Sequence, residues 1–300
     1  MYQFKDIAAS ISIKTAEGVK NSDNVEIYGI RGENLIGYIT NTKPSTISIS
    51  GNASTAYGIY GLAESSTSIE GVTKSIINHG DINITLDGGT AYGIYGSGVQ
   101  IKNTGNITLT GVNEETSRGI YAVASSHVYN SGTITINGAY STANAADGKF
   151  IYVDSTSSVV NEGEIKIDSP FNTMDLGGGK FVLAKGGKII APEIKGEITA
   201  DANITASGFD KTYSSEDAFV GDTSEVKLNS GSALFDAVLK NNDIVMTMKD
   251  FADVVDDKSL AAYLQRNYNA KRNDGLFNQL KTYDTAQNLN SALNQNLGFS

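Results

Sequence analysis

The sequence predicts an all-β chain folded as a parallel β-helix with a short helical segment at its end, and three observations point there. The first is a recurring phrase: a turn ends in Gly-Ile-Tyr, and after a variable stretch Asn-x-Gly opens an Ile-x-Ile strand. The Gly-Ile-Tyr copies are Gly58-Ile59-Tyr60, Gly93-Ile94-Tyr95, Gly119-Ile120-Tyr121 and, with Phe in the glycine place, Phe150-Ile151-Tyr152. The second is spacing. Gly80, Gly105, Gly132 and Gly163 of the Asn-x-Gly steps lie 25, 27 and 31 residues apart, a loose period in the range of repeat architectures. The third is alternation: Ile82 and Ile84, Ile107 and Leu109, Ile134 and Ile136, and Ile165 and Ile167 share one strand face, while Asn83, Thr108, Thr135 and Lys166 take the other.

Strands this short satisfy their backbone groups only against the coil before and after. The isoleucine pairs are therefore expected to stack about 4.8 Å apart as parallel ladders. A leucine-rich repeat would need leucine at fixed spacing and a helical segment per unit, and a propeller would need four-stranded antiparallel blades. Neither pattern is present.

Taken in order, residues about 7–50 read as worn copies of the repeat. Ile27-Tyr28-Gly29-Ile30-Arg31 echoes the first phrase with Arg31 in the tyrosine place, and Ile11-Ser12-Ile13 and Thr46-Ile47-Ser48-Ile49 echo the strand. No polar cap precedes them, so the solenoid is expected to begin upstream of Met1. The Asn-x-Gly steps suit tight turns, with glycine at positive φ and asparagine in the left-handed region. In Gly-Ile-Tyr the adjacent Ile and Tyr go to opposite faces, and Arg31 in the tyrosine place puts isoleucine inward. Tyr60, Tyr95, Tyr121 and Tyr152 then form an exposed aromatic strip. That strip either shields strand edges, at roughly 0.2–1 kcal/mol per pair, or serves as a contact strip for carbohydrate or a host surface.

The repeats fill residues 1–170. Over 171–250 the period fades into strands such as Lys180–Leu183 and Asp243–Met248 with larger apolar residues, Phe209, Tyr213, Phe219 and Phe235 among them. This is the pattern of a better packed section that closes the solenoid's open end. Over 251–300 the period becomes helical: Leu260, Tyr263, Leu264 and Tyr268, then Leu276, Leu280 and Tyr283, then Leu289, Leu293 and Leu297. Gly275 is expected to separate two helices. The last helix carries Gln287, Asn288, Asn290, Ser291, Asn294, Gln295 and Asn296, a polar, nearly uncharged face.

A net charge of −10 without basic clusters argues against nucleic acid as a partner. The chain has no Cys and no Trp, so it holds no disulfide or thiolate metal site, and absence of cysteine suits a chain exported unfolded through an oxidising compartment. No apolar run is long enough to span a membrane as a helix.

Catalytic constellations are not recognisable. His79 and His127 are the only histidines; His79 occupies a turn position where the other copies have Thr104, Ser131 and Glu162. No nucleophile-turn motif accompanies them. Asp81, Asp87, Asp147, Asp154 and Asp168 fall at different phases of the repeat, against the aligned carboxylates of a polysaccharide-cleaving β-helix. No cofactor, metal or catalytic residue is expected. The Asn-x-Ser/Thr triplets at Asn83, Asn106 and Asn203 arise from the strand phrase itself.

These residues together resemble the passenger end of a monomeric, type Va autotransporter of Gram-negative bacteria. The match is the repeats over about 25–170, followed by Leu276-Phe277-Asn278-Gln279-Leu280 and Ala286-Gln287-Asn288-Leu289-Asn290-Ser291-Ala292-Leu293-Asn294-Gln295-Asn296-Leu297-Gly298. The latter is similar to the linker pattern preceding such barrels, with Asn-Leu-Gly in place of Leu-Ser-Gly. The resemblance implies a right-handed β-helix and a closing section at 171–250 that aids folding. It also implies that Gln287, Asn290, Leu293, Asn294 and Leu297 lie on a helix in the lumen of an outer-membrane β-barrel beyond Ser300. The implied location is the cell surface or outer membrane, or release from it; the implied partners are that barrel and a host protein or glycan. The implied function is a displayed stalk presenting an adhesive or effector region. Two alternatives stand beside it: the non-catalytic stalk of a larger enzyme such as a subtilisin-like protease, and a β-helical polysaccharide-acting enzyme.

Overall fold

Residues at the same place in successive copies of the phrase lie directly over one another in the computed structural model, which describes residues 10–20, 23–63, 73–113, 115–140, 150–167, 173–176, 178–201, 212–215 and 217–297. Asp147, Asp168, Asn203, Phe209 and Gly298 lie outside those residues. Contacts divide the chain into one unit of Met1–Phe181, Gly187–Glu197 and Val220–Val226 and a second of Val182–Gly186, Ile198–Phe219 and Lys227–Ser300. The last helices fall in the second unit together with a β-section.

The first unit is a parallel β-helix. Its first stack holds β2 (Glu26–Gly32), β5 (Thr55–Leu62), β8 (Thr90–Ser97), β11 (Arg118–Val123) and β14 (Ile151–Val153). Its second holds β3 (Tyr38–Asn41), β6 (Ser75–Asn78), β9 (Gln100–Asn103), β12 (His127–Asn130) and β15 (Ser158–Asn161). Its third runs from β1 (Ile11–Lys14) through β4 (Thr46–Gly51), β7 (Asp81–Leu86), β10 (Asn106–Asn113) and β13 (Thr133–Tyr140) to β16 (Glu164–Ile167). β16 pairs in turn with β19 (Lys188–Ala200), as does β17 (Thr173–Asp175). Each coil contributes one strand to each stack, and identical residues face each other: Ile82 pairs with Ile107, Ile107 with Ile134, and Ile134 with Ile165. These isoleucines are at most 1% exposed. A fully buried aliphatic side chain contributes about 1.5–3 kcal/mol, so each coil is held by the apolar columns it extends.

The Asn-x-Gly step is not the turn its sequence suggests. Gly80, Gly105, Gly132 and Gly163 do not have positive φ. Glycine is needed because a Cβ on Gly105 would overlap the carbonyl oxygen of Gly80, and one on Gly132 that of Gly105. The asparagines do not adopt the left-handed region either; they point inward as a buried ladder. Nδ2 of Asn41, Asn78, Asn103 and Asn130 donates to Oδ1 of Asn78, Asn103, Asn130 and Asn161 at 2.8, 2.7, 2.7 and 2.7 Å. The same Nδ2 of Asn103 also donates to the Gly105 carbonyl at 3.2 Å. Buried amides are tolerable because they are paired.

In the second unit, β20 (Thr212–Ser215), β23 (Asp243–Met248) and β22 (Phe235–Lys240) form an antiparallel sheet. The helices α1 (Phe251–Val254), α2 (Lys258–Asn269), α3 (Asp274–Leu280) and α4 (Ala286–Leu297) follow. Asp257 caps α2 by accepting from the Leu260 amide at 2.8 Å. Phe251, Tyr268 and Phe277 meet with ring centroids 5.3–6.0 Å apart. Two expectations are corrected. Gly275 lies inside α3; the break falls before it, where Lys271 and Asn273 take positive φ. Tyr263 is 53% exposed, because Leu260, Ala261, Leu264 and Tyr268 complete the buried stripe of α2 without it.

Candidate functional site: a two-column tyrosine face

The first stack carries the tyrosines. In β5, Ala56, Gly58, Ile59 and Gly61 are buried while Tyr57 and Tyr60 are half-buried. Two successive inward residues, Gly58 and Ile59, interrupt the strict alternation of a strand. Tyr57 and Tyr60, three apart, therefore emerge on the same outer face. The interruption depends on glycine: a Cβ on Gly58 would overlap Ile82, and one on Gly61 would come within 2.7 Å of Ile76 Cδ1. The next coil repeats the geometry with Gly93 against Ile107. In the fifth coil Phe150 stands before Ile151 and is itself fully buried.

Two columns result. The column expected from sequence stacks Tyr60 on Tyr95 at 4.9 Å, Tyr95 on Tyr121 at 4.9 Å and Tyr121 on Tyr152 at 4.8 Å between ring centroids, all near parallel. A second column, missed from sequence, stacks Tyr28 on Tyr57 at 4.8 Å and Tyr57 on Tyr92 at 5.2 Å. Edge-to-face contacts link them: Tyr57 with Tyr60 at 5.1 Å, Tyr92 with Tyr95 at 5.7 Å and Tyr28 with Tyr60 at 5.3 Å. Both geometries are favoured by the ring quadrupoles. The signal for the second column is the longer phrase Ala-Tyr-Gly-Ile-Tyr-Gly at 56–61 and 91–96.

One end of the face is charged. Tyr28 Oη donates to Glu26 Oε2 at 2.7 Å. The Arg31 guanidinium lies 4.6 Å from the centre of the Tyr28 ring and 5.7 Å from that of Tyr60, while pairing with Glu33 at 2.6 Å. Burial pushes the phenols of Tyr57, Tyr60, Tyr92, Tyr95 and Tyr121 above their ordinary range. Burial, followed by the Glu26 hydrogen bond, pushes Tyr28 up to about 12. The face therefore presents neutral phenols.

The other residues singled out from sequence do not join it. His79 Nδ1 meets Thr104 Oγ1 at 2.6 Å and His127 Nδ1 meets Ser158 Oγ at 2.9 Å, each a contact to the next coil. Asp81 accepts from Asn106 at 2.9 Å. Asp154 accepts from the Ala124 amide at 2.8 Å; bonds from Ser157, Ala124 and Thr156 hold its carboxyl at about 2. Among the described residues no group of three or more His, Cys, Asp or Glu is placed to hold a metal.

On α4, Gln287 and Asn294 are exposed and Leu293 is buried with Leu289; Leu297 ends the helix, its side chain outside the described residues. Asn290 differs from the polar face assigned to it. It is buried, accepts from the Asp256 amide at 3.0 Å and donates to the Val254 and Ala286 carbonyls at 2.9 Å. A cavity of about 560 Å³ in the same unit is lined by Ser230, Ser232, Asp236, Lys249, Asp253 and Asp284 among others. Lys249 and Asp236 pair across 3.2 Å.

Compared with known proteins, the chain matches no family model, no curated sequence and no solved structure.

Proposed function

We propose that this chain is a non-catalytic stalk, a passenger segment of a type Va autotransporter displayed at the surface of a Gram-negative cell. The observation that supports the reading best is residue-for-residue superposition of the coils along the strands, against variation in the turns that join them. The interior repeats Asn over Asn and Ile over Ile, while the turn position between Asn and Gly passes through His79, Thr104, Ser131 and Glu162. A scaffold repeats its stacking positions, inward isoleucines and outward tyrosines alike, and leaves its turns to vary. Growth coil by coil suits folding outside the cell, where each coil buries its columns against the last and no ATP is needed. In this reading the section at 171–250 seeds folding, and the helices lead toward the barrel.

The test is accessibility on the producing cell. Antibodies raised against the chain are expected to label intact cells, and protease added outside is expected to remove that label. Labelling confined to permeabilised cells would overturn the proposal.

A further inference from the structure

The tyrosine face is a continuous run of ring contacts, and its members are the readily oxidised aromatics of a chain that has no Trp and no Cys. From Tyr152 to Tyr28 every step along the columns is 4.8–5.3 Å between centroids. At ring-contact distance an electron exchanges between neighbouring phenols far faster than a phenoxyl radical decays by diffusion. At one end Tyr28 has what a stable phenoxyl radical needs, a base on its hydroxyl: Glu26 Oε2 at 2.7 Å. Arg31, 4.6 Å from the ring centre, disfavours a bare positive hole there. An oxidising equivalent reaching Tyr28 therefore settles as the neutral radical, its proton passed to Glu26.

We infer that the face is a redox relay, carrying one-electron oxidising equivalents from ring to ring across five coils to the Tyr28–Glu26 pair. The oxidant class is a one-electron acceptor such as a peroxyl radical. It takes an electron and a proton from one ladder tyrosine, becoming the hydroperoxide and leaving a phenoxyl. The phenoxyl then takes an electron from its neighbour and a proton from water, and the neighbour releases its own phenolic proton back to water, so that each transfer leaves one phenol and one neutral phenoxyl. At the last step Tyr28 gives up the electron and hands its proton to the Glu26 carboxylate. Two such Tyr28 radicals, on two molecules, end by forming one carbon–carbon bond between ortho positions, each ring regaining aromaticity as the ortho hydrogen moves to oxygen. The relay does not depend on export, so it stands or falls separately from the proposed function.

The twin columns give the relay a specific signature. Tyr60 and Tyr57 each contact Tyr28 and each contact Tyr95, so either alone suffices. Because the chain has no cysteine, S155C, in the exposed turn after β14, provides a unique attachment point for a ruthenium polypyridyl photo-oxidant. Flash oxidation in the presence of a nitroso spin trap, with adducts mapped by mass spectrometry, reads where the radical settles. Adducts at Tyr28 are expected in the labelled protein and in its Y57F and Y60F forms. In the Y57F/Y60F double variant they should fall to the level of an unlabelled control, leaving adducts at Tyr92, Tyr95, Tyr121 and Tyr152. Phenylalanine keeps the stacked rings, so unchanged circular dichroism and melting certify the fold. E26Q should spread adducts from Tyr28 back along the ladder. Adducts confined to Tyr152 in the labelled parent, or undiminished arrival at Tyr28 in the double variant, would overturn the relay.

Discussion

Asn103 shows how much one residue can hold. Its amide donates to Asn130 and to the Gly105 carbonyl, and its carbonyl accepts from Asn78, all in a fully buried place. Asn103→Ala leaves a donor on Asn78 and an acceptor on Asn130 without partners. The expected loss is about 2–4 kcal/mol, read as a lower denaturant midpoint, whereas Thr104→Ala next door should change it by less than about 1 kcal/mol. The tyrosines supply a second prediction. In the folded state the phenols of Tyr57, Tyr60, Tyr92, Tyr95 and Tyr121 ionise above the ordinary value of about 10, and Tyr28 reaches about 12. Above pH about 10 the unfolded chain therefore sheds protons that the folded chain retains, and stability that is complete below that pH falls as pH rises toward 12. Phenolate absorbance and circular dichroism followed together should show the ladder tyrosines ionising as the β-helix unfolds. Full ionisation with the fold intact would contradict their burial.

At the scale of strands and turns, the glycines divide by what surrounds them. Gly105→Ala drives a methyl into the backbone of the preceding coil, where the Gly80 carbonyl carbon would lie at 2.9 Å, and should cost about 1–3 kcal/mol. Gly275→Ala, inside α3 with nothing within 4 Å of the added carbon, should stabilise by up to about 1 kcal/mol. Opposite signs in paired thermal melts test both assignments. These positions also explain what was legible in the sequence. Ile82 and Ile84 declare their face because period-two alternation is local. Tyr57 does not: counting by twos from Tyr60 sends it inward, and only the packing of Gly58 against Ile82 brings it out. Asn-x-Gly reads as a turn from any one copy, since the inward amide ladder exists only between coils, at separations of 25 to 37 residues. Tyr263 has helical spacing and yet faces water, because Ala261, a weak hydrophobic signal, occupies the buried stripe in its stead.

Over the whole β-helix, the unit of organisation is the coil. Removal of residues 79–103, a length of 25 matching the separation of Asn78 and Asn103, joins Asn78 to Thr104 and restores Asn-x-Gly with Ile107 and Leu109 in phase. The shortened chain is expected to keep its β circular dichroism and unfold cooperatively. Removal of 79–104 deletes one residue more, turns Ile107 and Leu109 to the outside, and is expected to give an aggregating product. The amide ladder thereby acts as a counting device on the gene. Every Nδ2 points the same way along the stack, from Asn41 toward Asn161, so a duplicated coil is accepted only whole and head to tail. Between those fixed marks the connecting segments can lengthen freely, as the separations of 25, 27 and 31 already record. Lineages carrying this ladder should differ in length by whole coils or by loop insertions, and not by slips within a strand.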